Sequence, residues 1–185
     1  MEETPRNAVI SNLMPHVAAI ALCLENRLHM PALALIYCGI DVLASFGRPE
    51  ENAEVKRADF ISWAERYMQC EKVLGLSGLD LYAARCGILH AYTMDSRLSA
   101  QGHARRIMYV WGNQEPDEPM RLLQTLGRPE IVIKIEMLYS TFANGIRAFD
   151  KALEDDPELE SLVRERGPKI IRHQATFPSL GRTDI

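Results

Sequence analysis

IVIKIEMLYSTFANGIRAFDKAL, residues 131–153, carries the most regular apolar pattern in the chain. Ile131, Ile135, Leu138, Phe142, Ile146, Phe149 and Leu153 follow one another at intervals of 4, 3, 4, 4, 3 and 4. On a helix these positions form one continuous stripe, and a strand would scatter them over both faces. Pro129 suits a first helical turn, so the pattern predicts a long helix from there to Glu154-Asp155-Asp156-Pro157. A short helix, PELESLVRER, is predicted to follow and to stop at Gly167-Pro168, leaving a loose tail over 174–185.

The same period extends towards the N-terminus. Thr4-Pro5 can cap a first helical segment, in which Pro15 either starts a new helix or introduces a kink. A second helix is predicted from Pro31 through ALALIYCGIDVLASF to Gly47, with Arg48-Pro49 enforcing the stop. Asn52 opens a third, AEVKRADFISWAERYM, with Val55, Phe60, Trp63 and Met68 roughly on one face. Ser77-Gly-Leu-Asp80 has the form of a capping box with Asp in the usual Glu position, and a fourth helix starts there. RIMYVW, 106–111, is the one stretch that suits a strand; it either pairs with a neighbour or is not a strand. GNQEPDEP reads as a polar turn, and Trp63 and Trp111 are assigned to the core. The expectation is an all-α domain over 1–173, a bundle of five to six helices with at most one short β-hairpin.

The 185 residues suffice for one core, and 47% hydrophobic with 25% charged residues is ordinary for a globular chain. A net charge of −4 gives no general attraction to nucleic acid, so any phosphate-binding surface must be a local patch. The opening MEETPRN lacks the basic stretch of a signal peptide. The apolar run 17–24 is too short to span a bilayer. No membrane association is expected. Cys23, Cys38, Cys70 and Cys86 lie far apart with no CxxC pair or Cys/His cluster, which suits reduced thiols in a cytoplasm and predicts neither a metal site nor a cofactor.

LDLYAARCGILHAYTMDSRLS, 79–99, carries the chemistry. An Arg, four to six residues and a His occur three times in the chain, at Arg85/His90, Arg97/His103 and Arg166/His173. Gly167-Pro168 interrupts the third, and RLSAQGH, the second, reads as a loop. The first alone lies on a capped, amphipathic helix. Residues five apart on a helix differ by about 140° and about 7.5 Å. Arg85 and His90 can therefore meet only where the helix frays or across a two-fold axis. Gly87 between them would let another backbone approach, as a two-fold helix contact requires.

With YCGIDVLASF and SWAERYM upstream and SRLS downstream, LYAARCGILHAYT resembles the HEPN superfamily, over about residues 30–150. That family's signature is an Arg, four to six residues and a His at the end of a helix in a small all-α domain; the likeness is to a bacterial branch. The resemblance implies a metal-independent endoribonuclease, a toxin or defence component working as a homodimer, with Arg85 and His90 in one composite site. It further implies single-stranded RNA as substrate, a 2′,3′-cyclic phosphate as product, and an antitoxin or regulatory protein as partner. One position departs from the pattern. The residue after the Arg is commonly polar in active members, and here it is Cys86. A non-catalytic HEPN-like RNA-binding or assembly module is the alternative.

Residue chemistry suits the first reading. A His transfers protons near neutral pH and an Arg fork holds phosphate oxygens. Each residue also has a structural reading. His90 is favourable at a helix C-terminus without any function, and Arg85 can be a surface residue. Asp41, flanked by Ile40 and Val42, needs a partner, either Arg85 or another Arg. Tyr92, seven residues after Arg85, either stacks on a base or is a core tyrosine with a wet hydroxyl. Arg97, Arg105 and Arg106 make the following segment basic and are assigned to RNA phosphates.

Overall fold

In the computed structural model the described residues are 5–48 and 54–170, with side chains described for 13–48 and 54–167. The tail 174–185 and His173 lie outside them, as does the predicted start of the third helix at Asn52. The elements run α1 (Pro5–Glu25), α2 (His29–Gly47), α3 (Arg57–Trp63), a π-turn (Ala64–Met68), α4 (Cys70–Leu74), α5 (Gly78–Ala91), α6 (Arg97–Ala100), β1 (Ile107–Val110), α7 (Asp117–Thr125), β2 (Ile131–Lys134), α8 (Ile135–Asp155) and α9 (Pro157–Ile170). The chain is mostly helical, as expected.

α2 is the axis of the bundle. It is apolar enough to have the composition of a membrane span, yet more than half of it is buried, packed by α1, α3, α5, α8 and α9. Leu33, Ile36, Tyr37, Ile40, Leu43 and Phe46 are all but fully buried. Facing them, α8 buries Ile135, Leu138, Phe142, Ile146, Phe149 and Leu153, the predicted stripe. Each such side chain contributes about 1.5–3 kcal/mol of apolar burial. The two helices meet closely at Gly39, where a Cβ would lie 2.5 Å from Phe142 Cζ. Trp63 and Tyr67 complete an aromatic cluster against Phe142 and Phe149.

Several expectations are corrected. Nine α-helices occur among the described residues rather than five or six. The predicted third helix starts only at Arg57, leaving Val55 exposed before it, and its last turn is the π-turn; Gln69, with φ +49°, ends it at the expected place. Two predicted loops contain helices: Ser96 caps α6, and Asp117 and Glu118 occupy the acidic first turn of α7. The long helix begins at Ile135 rather than Pro129. The β-branched Ile131, Val132 and Ile133 pair instead with Ile107, Met108 and Tyr109.

That pairing is parallel with α7 as the crossover, so the sheet is not a hairpin. α9 continues through Gly167-Pro168 to Ile170. Its buried Arg166 donates from Nη1 to the carbonyls of Phe46 (2.9 Å) and Arg48 (2.5 Å), capping the end of α2. The Arg of the third Arg/His match is thereby used to join two helices. Pro15 lies inside α1 and Trp63 is buried, whereas Trp111 is 41% exposed.

Gly87 also differs from expectation. A Cβ there would lie 2.6 Å from the Thr93 carbonyl oxygen and 2.7 Å from that of Asp95. The approaching backbone is the loop that leaves α5, not a second subunit. Gly→Ala inside a helix ordinarily stabilises by roughly 0.5–1 kcal/mol. Gly87→Ala should instead lower the thermal midpoint and cost about 1–3 kcal/mol, because the obstruction is backbone. An unchanged or raised midpoint would show that the 93–95 loop does not pack there.

Candidate active site

The site forms where α5 ends beside the middle of α2. Ser77 starts α5: its Oγ accepts from the Asp80 N–H while the Asp80 carboxylate accepts from the Ser77 N–H. This capping box was legible in the sequence. Two turns later Arg85 Nε donates to Asp41 Oδ2 at 2.8 Å, and Arg85 Nη1 donates to His90 Nε2 at 3.2 Å. Arginine has no acceptor, so His90 Nε2 is the acceptor here and the ring proton sits on Nδ1. The five-residue separation is bridged because the long Arg85 side chain reaches the last turn of α5, where His90 is exposed. Tyr82 lies 5.9 Å below the same guanidinium.

Burial pushes the Asp41 carboxyl above its ordinary range. The hydrogen bond and charge of Arg85, with the charge of His90, return it only part of the way. For Arg85 itself burial opposes the charge, but the Asp41 contact overrides it and holds the guanidinium protonated. Arg105 and Asp80 present the opposite case. Burial would raise Asp80, but hydrogen bonds from the Arg105 side chain and backbone, and from Ser77, bring it below the carboxylate range. Arg105 Nη2 contacts Asp80 Oδ2 at 2.6 Å and the Gly75 carbonyl at 2.9 Å. Arg105 thus braces the start of α5.

The expected RNA-binding arginines therefore diverge. Arg106 pairs with Asp95 at 2.5 Å and lies 3.6 Å from Glu130, so acids offset both members of the Arg105-Arg106 pair. Arg97 stands exposed at the start of α6 with no hydrogen bond to His103 among the described residues. Tyr92 ends α5 in the left-handed conformation, φ +53°, and is 61% exposed rather than in the core.

Two cations were missed in the sequence. Lys56 and Arg57 line a cleft of about 220 Å³ with Asp41, Tyr82 and Arg85. The available signal was VKRADF, two positive charges at the start of α3, where the helix dipole disfavours them. Among the described residues no group of three or more His, Cys, Asp or Glu is arranged to hold a metal ion.

The two ion pairs should respond differently to mutation. Arg105→Ala should cost about 1–2 kcal/mol at neutral pH, after allowing for its partial exposure. A lowered carboxyl stabilises the fold above its unfolded pKa, about 3.9, and that support is lost as pH falls through the lower folded value. The cost of Arg105→Ala should therefore shrink under acid. Asp41→Asn should cost less than Arg105→Ala, since burial already disfavours the Asp41 carboxylate and Asn keeps an acceptor for Arg85 Nε. Denaturant unfolding of both variants at neutral and acid pH checks these signs. The chain has no significant match among protein-family models, curated proteins or solved structures.

Proposed function

We propose that this chain is a HEPN-like, metal-independent endoribonuclease, a bacterial toxin or defence component that acts in the cytoplasm as a homodimer. The observation that carries the proposal is the direct Arg85–His90 contact, braced by Asp41. It is the one of the three Arg/His spacings whose two members touch among the described residues. Cleavage needs the 2′-hydroxyl deprotonated, the 5′-oxygen protonated, and the charge on phosphorus neutralised. In the free site Arg85 covers the His90 lone pair. When Arg85 turns to a phosphate oxygen it stabilises the phosphorane and releases Nε2 to accept the 2′-hydroxyl proton.

In-line attack puts the nucleophile and the leaving oxygen on opposite sides of phosphorus. One imidazole cannot serve both at once, and a two-fold copy of the site supplies the second His90. Lys56 and Arg57, which line the same cleft as Arg85, suit the flanking phosphates. Single-stranded RNA is the substrate class, and an antitoxin or regulatory protein is the expected partner.

One observation favours the non-catalytic alternative, an RNA-binding or assembly module. Arg85 already donates to His90 and Asp41 in the free protein, and the residue after the arginine is Cys86 rather than a polar one.

Cleavage of single-stranded RNA in excess EDTA, leaving a cyclic phosphate, is the expected activity. His90→Ala should lower the rate by about 10²–10⁴ with the fold retained. Arg85→Ala should lower it by about 10² or more through lost phosphorane stabilisation. His103→Ala should leave the rate unchanged. Light scattering should give a dimer at micromolar concentration. RNA binding with no cleavage by the wild type, and equal behaviour of His90→Ala, would establish the module instead.

A further inference from the structure

The end of α5 also lines a second cavity, of about 870 Å³. Its floor is core: Leu33, Ile88 and Ile135 are at most 1% exposed. Its walls are flat rings. His29 and Trp111 stack with centroids 4.4 Å apart and planes 26° from parallel. Tyr92, left-handed and largely exposed, lines the same cavity. A non-glycine residue in that conformation costs roughly 1–2 kcal/mol, and Arg27 on the same rim adopts it too, with φ +58°. Arg27 has no ion pair among the described residues. The cavity thus combines an apolar floor, exposed aromatic side chains and a cation, with Asp95, paired to Arg106, also on its lining.

We propose that this cavity is a nucleobase subsite, in which one base of single-stranded RNA enters between Tyr92 and the His29–Trp111 pair while Arg27 meets its phosphate. The proposal rests on the ribonuclease reading and adds how the strand is held. Three features favour a base over an aliphatic ligand or a second copy of the chain. The exposed walls are aromatic, and bases in unpaired RNA are held by stacking on such rings. An exposed cation, Arg27, lines the same cavity as these rings and can meet the phosphate of a base bound there. Tyr92 follows His90 by two residues, which places the cavity and the Arg85–His90 pair at the same end of α5. Tyr92 was legible in the sequence as a stacking candidate; the cavity and its other wall come from α2 and β1.

The two tryptophans supply the test, because Trp63 is buried and Trp111 is 41% exposed. The probe is a short 2′-O-methyl oligoribonucleotide, whose blocked nucleophile prevents cleavage, compared with the same oligomer carrying abasic positions. The full oligomer should quench Trp111 fluorescence and bind about tenfold or more tightly than the abasic one. Tyr92→Ala and His29→Leu should each remove most of that difference, and Tyr92→Phe should keep it. Trp111→Phe should abolish the quenching without abolishing binding. Equal affinity for both oligomers in the wild type would overturn the subsite. So would quenching that follows protein concentration alone, which would mark a contact between copies. Base-dependent binding without RNA cleavage supports the subsite and rejects the nuclease; cleavage without base-dependent binding does the reverse.

Discussion

Asp41 is a carboxylate on the most buried helix of the bundle, and the site depends on how that charge is met. Arg85 meets it from α5 through Nε, with both side chains about one-quarter exposed. The contact crosses 44 residues of sequence and joins α2 to α5 at one height. It also commits one edge of the guanidinium to Asp41 and turns the other towards His90. Burial keeps the carboxyl above its ordinary range even with this partner present. An ion pair that leaves its acid disfavoured is weak as a fold stabiliser. Its clearest consequence is positional: it sets where Arg85 points.

The end of α5 completes the arrangement. Tyr92 leaves the helix left-handed, and the chain folds back so that the Thr93 and Asp95 carbonyls rest on Gly87. His90 is exposed on the last turn, and Tyr92 lines the aromatic cavity. Arg105 secures the other end of the same helix through Asp80. One fourteen-residue helix, braced at both ends, thus lines both the Asp41–Arg85 cleft and the aromatic cavity.

Local signals were legible in the sequence where a single element decides the outcome. The stripe of α8, the Ser77–Asp80 cap and the Arg85/His90 candidate need only neighbouring residues to be read. Nonlocal pairing was not legible. Ile131 to Ile133 fit the helical stripe, and only the presence of Ile107 to Tyr109 makes them a strand. Gly87 correctly implied a close backbone approach, but its spacing could not say whose backbone. The charge of the 97–106 segment was visible, with Asp95 just before it, while Asp80 and Glu130, which also offset it, come from other elements. Trp111 read as core because aromatic residues usually are; its neighbour His29 lies 82 positions away.

The central claim is that Asp41 holds Arg85 so that it donates to His90. Nitrogen-detected NMR of the His90 imidazole, at a pH where the ring is neutral, tests this most directly. The arrangement requires the proton on Nδ1 and a bare Nε2 accepting from Arg85. It also requires that Asp41→Asn perturb the Nε2 resonance although residue 41 does not touch His90. A ring protonated at Nε2, or a His90 signal indifferent to residue 41, would contradict it.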